Sequence, residues 1–213
     1  MQYDAMPARF RGAGCNGNHL HCRRHPVHAS ITLGTTHQLM SVDIRLVSPL
    51  ELDAHLPALV DLLRATIAGG SSLGFLPPLA QDAARDYWLA VRRDLQAGTR
   101  LLVAAFEDDR VVGSGQLAIP IWPNAHHRAE VQKLFVAGAL RGQGVGRRLM
   151  TALHDAARER GRSLILLSTR RGGTTEDFYK GLGYREIGVV PGYSVGVAGE
   201  RYDNVTFYQE LSR

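Results

Sequence analysis

The stretch that decides the fold is Arg141-Gly142-Gln143-Gly144-Val145-Gly146, which follows an apolar run ending at Val136. An amphipathic run begins within the stretch, at Val145. A glycine-rich turn between a strand and a helix exposes the first N–H groups of the helix and the positive end of its dipole. Glycines also let a bulky anion touch the main chain. The stretch therefore predicts a phosphate-binding turn, with a plain structural turn as the alternative.

The segment after this turn has the periodicity of an amphipathic helix. Its apolar residues fall on one face, at Val145, Leu149, Ala152, Leu153 and Ala156. The opposite face is charged, and Gly161 supplies a stop signal. The pattern predicts a helix that begins at Val145 and packs one face on the core.

The spacing of the glycines limits the kind of phosphate ligand. A Walker-type loop needs Gly-Lys followed by Ser or Thr, but Gly146 is followed by Arg147 and Arg148. A dinucleotide fingerprint needs G-x-G-x-x-G and an acidic residue after the next strand, whereas that strand ends here in Ser168. Both of these ligand classes are therefore disfavoured.

Two motifs resemble those of the GNAT family of N-acetyltransferases. The pattern Arg/Gln-x-x-Gly-x-Gly/Ala, met by Arg141, Gly144 and Gly146, resembles the pyrophosphate loop of that family. Downstream, residues 178–184 read Phe-Tyr-Lys-Gly-Leu-Gly-Tyr and resemble the second family signature, an aromatic pair followed by Leu-Gly-Phe/Tyr. The two motifs occur in the family's order.

The resemblance implies a mixed α/β (α+β) fold. Its mostly antiparallel sheet of six to seven strands is flanked by four helices and splays at the strands before and after the phosphate-loop helix. Apolar periodicity predicts strands at 42–47, 101–106, 111–119, 130–136, 164–167, 184–190 and 205–211. It predicts helices at 49–67, 79–95, from 145 to Gly161, and at 174–182.

Length and composition are those of one domain. The chain has 213 residues, of which 45% are hydrophobic, and residues 41–213 are predicted to form a single domain. Residues 1–40 lack apolar periodicity and are predicted to be a disordered or irregular extension. Their cysteines, Cys15 and Cys22, have a spacing that matches no standard zinc pattern, so no metal is expected.

Charge and hydropathy exclude other classes of partner. The formal net charge is +5, but the arginines are spread along the chain without a basic run, which disfavours nucleic-acid binding. A coenzyme with several phosphates is another reason for a basic chain. No apolar stretch is long enough for a membrane helix, so a cytoplasmic protein is expected.

The resemblance further implies acetyl-CoA as cosubstrate. Its pantetheine arm would pair with the strand edge at 134–136, next to the glycine-rich turn. The residues predicted to bind it are Leu134, Phe135, Val136, Arg141, Gly142, Gln143, Gly144, Val145, Gly146, Arg147, Phe178 and Tyr179.

Two residues are candidates for proton transfer to and from the reacting groups. Glu130 begins the strand that leads to the phosphate loop, so it is expected to face the cleft as the general base that deprotonates an amine. Its alternative role is a strand-end carboxylate paired with Arg128 or Lys133. Tyr179 is the candidate acid for the coenzyme thiolate, and core packing beside Phe178 is its alternative role.

Three segments are similar to the tabtoxin-resistance type of acetyltransferase, namely residues 69–75, 128–134 and 191–193. This resemblance implies acetylation of a small amino-acid-like toxin or antibiotic. Ser168 stands where that type has an aspartate, which leaves Glu130 without a second carboxylate. The residues predicted by position to contact substrate are Ser71, Ser72, Phe75, Trp88, Trp122, Asn124, Ser168 and Tyr193.

Two other functions remain open at this point. One is acetylation of a protein N-terminus or a lysine side chain, and the other is a non-catalytic acetyl-CoA-binding module, which the serine at position 168 would explain. The resemblance also leaves a homodimer open.

Overall fold

A computed structural model describes residues 42–71 and 73–212. The predictions for residues 1–40 and for Ser72 lie outside this part of the chain. The strands are β1 (Asp43–Leu46), β2 (Arg100–Glu107), β3 (Arg110–Ala118), β4 (Arg128–Val136), β5 (Leu164–Arg170), β6 (Arg185–Val195) and β7 (Arg201–Glu210). The helices are α1 (Pro49–Ala68), α2 (Gln81–Gln96), α3 (Val145–Glu159) and α4 (Thr174–Lys180), and short 3₁₀ turns lie at Pro123–Ala125 and Gly138–Leu140.

The strands form one seven-stranded sheet in the order β1-β2-β3-β4-β5-β7-β6. Strands β4 and β5 run parallel to each other, and the other neighbouring pairs are antiparallel. The predicted mixed, mostly antiparallel sheet with four helices is therefore confirmed.

The sheet is covered on both faces because its central strands are apolar on both sides. In β2, Val103 and Ala105 join the core under α3, whereas Leu102 and Ala104 join the core under α1 and α2. Successive side chains of a strand point to opposite faces, so a continuous apolar run fills two cores.

Helices α1 and α2 close one face. A capping box starts α1, because the Glu51 N–H donates to Ser48 Oγ at 3.2 Å and the Ser48 N–H donates to the Glu51 carboxylate at 2.9 Å. In α2, Trp88 has no exposed surface, and its indole N–H donates to the carbonyl of Leu59 at 3.0 Å. A substrate cannot reach this side chain, so Trp88 is a core residue and its predicted place in the substrate site is wrong.

Helices α3 and α4 close the other face. Four of the five residues of the apolar stripe predicted for α3 are buried, namely Val145, Leu149, Leu153 and Ala156, whereas Ala152 is half-buried. Met150, which was not predicted, is buried as well. From α4, Tyr179 packs into the same core beside Phe207 of β7. The phosphate-loop helix is thus anchored by its apolar face.

Three strand ends differ from the prediction by three or more residues. Strand β5 continues three residues beyond position 167 to Arg170, β6 continues to Val195, and β7 begins at Arg201 instead of position 205. Polar residues at these ends stay in the sheet because their backbones pair, for example Arg170 with Asn204. Apolar periodicity does not report such pairing.

Candidate functional site

Strands β4 and β5 separate after three paired positions. Glu130 pairs with Leu166, and beyond that point the described residues of β4 have no partner on β5. Strand β5 instead continues against β7 as far as Arg170. The edge of β4 at residues 132–136 is left free for a ligand whose amide groups can pair with backbone groups.

A β-bulge lies in β4 at this opening. Strand β3 places Gln116 opposite Gln132 and Ser114 opposite Phe135, so β4 holds one extra residue. Lys133 in the bulge has a φ of +51°, which is unusual for a non-glycine residue. A bulge leaves backbone groups unpaired and redirects side chains. Sequence periodicity gave no sign of it.

The bulge residue holds the connection between α1 and α2. The Lys133 ammonium group donates to the carbonyl of Leu73 and lies 5.3 Å from the ring centroid of Phe75. Burial, with a smaller contribution from Arg100, lowers the pKa of Lys133. The connection is therefore tied to the strand that borders the opening.

The glycine-rich turn lies at the carboxyl end of β4. Gly142 and Gly144 have φ values of +77° and +81°, and Gly144 is the N-cap of α3 without a side-chain cap. Residues 141–144 and Arg147 are exposed. No side chain caps the first N–H groups of α3, so an anion could accept hydrogen bonds from them, and phosphate binding at this turn stays a prediction.

Neighbouring residues frame this turn. Arg141 donates to the carbonyl of Val136 at 3.3 Å and to Ser71 Oγ at 3.4 Å. A Cβ at Gly146 would lie 3.6 Å from the Phe178 ring, so Phe178 packs closely on the first turn of α3. The two sequence motifs therefore meet, although they are far apart in the chain.

Glu130 lies on the face of the sheet that carries α1 and α2. Its neighbours Ala129 and Val131 are buried under α3, so its own side chain points the other way, and it is exposed. Within the described residues it makes no ion pair with Arg128 or Lys133. The alternative role that the sequence left open, an ion pair with either residue, is not found.

Tyr179 is 6% exposed and packs between aromatic rings. The ring centroids of Phe178 and Tyr184 lie 5.2 and 5.8 Å from its own. Burial raises the pKa of Tyr179 to about 12, so its hydroxyl keeps its proton at neutral pH. Packing, the alternative role, is present, and a role as acid stays a prediction.

A polar network not predicted from the sequence lies on the Glu130 side of the sheet. Arg100 donates to Gln116 at 2.8 Å and to Gln132 at 3.0 Å, and Tyr87 lies 3.0 Å from the amide oxygen of Gln116. Burial raises the pKa of Tyr87 to about 12. The network fixes Gln132 directly before the bulge.

A cavity of about 140 Å³ lies between the α1–α2 connection and the β6–β7 hairpin. It is lined by Ile67, Gly70, Ser71, Phe75, Leu76, Pro77, Arg170, Gly196, Val197, Glu200 and Tyr202. Of the predicted substrate residues, Ser71 and Phe75 belong to it. Trp122, Asn124, Ser168 and Tyr193 are exposed and do not line it.

The charged residues of this cavity were missed by sequence reasoning. The Arg170 guanidinium stacks 3.6 Å from the ring centroid of Tyr202. The Tyr202 hydroxyl donates to Glu200 at 2.8 Å. The alternation Leu166, Ser168, Arg170 continues the strand pattern past position 167 and is the signal that places Arg170 on the Glu130 face.

The described ranges contain neither a candidate metal cluster nor a candidate membrane span. No group of three or more His, Cys, Asp or Glu residues there could hold a metal ion. None of the helices in this part of the chain is long and apolar enough to cross a membrane.

Comparison with curated proteins gives a relative from Azospirillum brasilense. That protein, an uncharacterized N-acetyltransferase in the hisH-hisA intergenic region, is 31% identical over 114 residues. The match covers 53% of this chain and 66% of the relative, so it spans slightly less than two thirds of that protein.

Solved structures share the fold. An N-acetyltransferase from Staphylococcus aureus Mu50 superimposes with a TM-score of 0.67 at 16% identity, over 81% of this chain and 99% of that one. Salmonella typhimurium yncA, solved with its cofactor acetyl-CoA, gives 0.65 at 17% identity, over 81% and 95%. An acetyltransferase from the same organism that modifies the N-terminal serine of ribosomal protein L7/L12 gives 0.67 at 16%, over 81% and 96%.

The family comparison decides the assignment. The model of the acetyltransferase (GNAT) family matches residues 71–184, which is more than half of the chain. This range runs from the α1–α2 connection through both sequence motifs. The chain belongs to the GNAT family of acetyltransferases.

Proposed function

We propose that the protein moves the acetyl group of acetyl-CoA to a primary amine of a small molecule. The observation that carries the proposal is the opening between β4 and β5. An uncapped helix N-terminus lies at one end of it and an exposed carboxylate, Glu130, at the other. This arrangement offers a site for a diphosphate and a base on the same strand.

The coenzyme would use the groups that the sheet leaves free. Its diphosphate would accept hydrogen bonds from the N–H groups of residues 144–147, and Arg141 adds positive charge. Its pantetheine amides would pair with the edge of β4 at residues 134–136. Gly144 supports this role because its φ of +81° suits a residue without a side chain.

Glu130 is proposed as the general base. An alkyl amine has a pKa near 10.4, so it is mostly protonated at neutral pH and must lose a proton to react. The ammonium proton would go to Glu130 directly or through a water molecule, the amine nitrogen would then bond to the thioester carbon, and the carbon–sulfur bond would break. The nitrogen loses a second proton as the amide forms, and this proton balances the one that the departing thiolate takes up. The absence of an ion pair in the described residues leaves the carboxylate available for that proton.

Two further groups are proposed to stabilise the negative charges that develop in the reaction, on the carbonyl oxygen and on the departing sulfur. A backbone N–H at residues 134–136 would donate to the oxyanion that forms on the thioester carbonyl. Tyr179 would donate its proton to the departing thiolate. Full transfer from a phenol of pKa about 12 to a thiol of pKa about 8.5 is uphill by about 5 kcal/mol, so this contribution is expected to be small.

A small-molecule acceptor is favoured by the size of the cavity. A volume of about 140 Å³ is below the roughly 300–1,000 Å³ of pockets that hold drug-sized ligands. The proposed acceptor is an amino-acid-like molecule, and resistance to such a toxin or antibiotic in the cytoplasm is the proposed role. Ser168 in place of a carboxylate means that Glu130 would act alone.

The test is release of free thiol from acetyl-CoA across a panel of amino acids, polyamines and short peptides. Glu130→Gln should lower kcat by about 10²- to 10⁴-fold, while the control Glu159→Gln, on the exposed end of α3, should keep it. Full activity of Glu130→Gln would contradict the assignment of the base. Turnover of peptides alone would point to a protein acceptor, and tight coenzyme binding without any turnover would point to a non-catalytic module.

A further inference from the structure

We infer that the cavity between the α1–α2 connection and the β6–β7 hairpin binds a carboxylate group of the acceptor through Arg170. This inference rests on the proposed acetyl transfer, and it specifies the class of acceptor: amines that also carry a carboxylate.

Arg170 lies in line with the proposed base. Leu166 pairs with Glu130, and in a parallel ladder paired residues point to the same face of the sheet. Arg170 is four residues further along β5, so its side chain lies on that face too, at a strand distance of roughly 13 Å. Glu130 does not line the cavity, so the glutamate and arginine side chains would have to cover most of this distance. A small acceptor with its amine at Glu130 and its acid group at Arg170 would then lie between the two side chains.

The Arg170 guanidinium has a hydrogen-bond donor without a partner in the described part of the chain. This donor, Nε, is buried. No carboxylate of the described residues lies within 4.0 Å of it. A buried donor without a partner is costly, and the planar fork of arginine fits a carboxylate through two parallel hydrogen bonds. An anionic ligand would satisfy these groups.

Two neighbours hold the guanidinium in place, and neither makes an ion pair with it within 4.0 Å. The ring of Tyr202 stacks on it, and the hydroxyl of Tyr202 donates to one oxygen of Glu200 at 2.8 Å. The other oxygen of Glu200 accepts the N–H of Ala198 at 2.9 Å. Both oxygens of Glu200 are thus engaged within the hairpin, so Glu200 acts as a positioning residue for Tyr202.

The remaining wall favours a small acid. Ile67 and Phe75 give the cavity apolar sides, and the exposed side chains of Leu76 and Val197 lie at its open side. A volume of about 140 Å³ accommodates a carboxylate with a few carbon atoms. A phosphonate could also accept two hydrogen bonds from the Arg170 guanidinium, but it is bulkier than a carboxylate and carries more charge.

The experiment compares amines that differ only at the acid group. Leucine, β-alanine and 4-aminobutyrate are each assayed beside the corresponding carboxamide, and 2-aminoethylphosphonate is assayed beside β-alanine. Thiol release gives kcat/KM, and saturation-transfer NMR on the coenzyme A-loaded protein reports binding of the same amines without turnover. The proteins are wild type, Arg170→Gln, Arg170→Lys and the control Arg201→Gln, which removes a nearby exposed charge outside this cavity.

The carboxylates should exceed their carboxamides by about 10- to 100-fold in kcat/KM with wild type, a range expected for hydrogen bonds to a charged group. Arg170→Gln should remove this preference, Arg170→Lys should restore part of it, and Arg201→Gln should keep it. The calorimetric affinity for acetyl-CoA should be the same in all four proteins, which also shows that they are folded.

Equal rates and equal binding of acids and carboxamides by wild type would overturn the inference, as would a preference that survives in Arg170→Gln. Preference for the phosphonate over β-alanine would overturn the assignment of a carboxylate. Failure of the proposed function looks different: no thiol would be released with any amine, while NMR would still report whether the acids bind through Arg170.

Discussion

The buried pair of His154 in α3 and Tyr184 makes the fold sensitive to mild acid. His154 is 9% exposed, and its Nε2 lies 2.8 Å from the Tyr184 hydroxyl. Burial, assisted by the positive charge of Arg158 and opposed by Asp155, lowers the pKa of His154 from 6.5 to about 4. The folded protein therefore resists protonation of this imidazole, whereas the unfolded chain does not.

The size of the effect follows from these two values. Stability is complete above pH 6.5, where the imidazole is neutral in both states, and it is lost as the pH falls from 6.5 to 4, because the unfolded chain then binds the extra proton. At pH 5 the loss is about 2 kcal/mol for a shift of this size.

Urea unfolding at pH 8, 6, 5.5 and 5 measures this loss of stability. The free energy of unfolding is calculated from the midpoint, provided that its slope against urea concentration does not change with pH. His154→Leu, which cannot titrate, should lose about 2 kcal/mol less than wild type between pH 8 and 5. If both proteins respond to pH equally, His154 is not the group that couples protonation to unfolding, and the argument from its burial fails.

Further predictions concern the site and the core. Tyr179→Phe should lower kcat by no more than about 10-fold, because proton transfer from so weak an acid is uphill, and a larger drop in thiol release would show an essential acid. Gly144→Ala should cost about 1–2 kcal/mol in urea unfolding and weaken coenzyme binding, since a left-handed φ is strained for alanine. The control Gly138→Ala has free space and an ordinary φ, so it should be neutral, and equal effects would contradict the reasoning. Trp88→Phe should cost about 1–3 kcal/mol, because the carbonyl of Leu59 loses its donor, while the KM for amines stays constant.

Features that depend on residues close together in the sequence could be predicted from it. The turn at 141–146 and the apolar face of α3 follow from glycine spacing and helical periodicity, which are local properties. The opening between β4 and β5 was expected only because the motifs resemble those of a family. Its register, with Glu130 as the last residue of β4 that pairs with β5, required the structure.

Features that depend on distant parts of the chain could not be predicted. The bulge at Lys133 arises from pairing between β3 and β4, and no residue type in β4 predicts it. The cavity around Arg170 is made by the α1–α2 connection and the β6–β7 hairpin, which are more than a hundred residues apart. The burial of Trp88 likewise depends on how α1 and α2 pack, so an aromatic in a helix was mistaken for a substrate contact.

The central claim is that the opening beside β4 and the glycine-rich turn hold the coenzyme next to Glu130. Hydrogen exchange of the full chain, followed by mass spectrometry with and without acetyl-CoA, tests it most directly. We expect slower exchange at the backbone N–H groups of residues 134–136 and 144–147, the groups proposed to bind the pantetheine and the diphosphate. Unchanged exchange in both segments at saturating acetyl-CoA, or protection confined to other parts of the sheet, would contradict it.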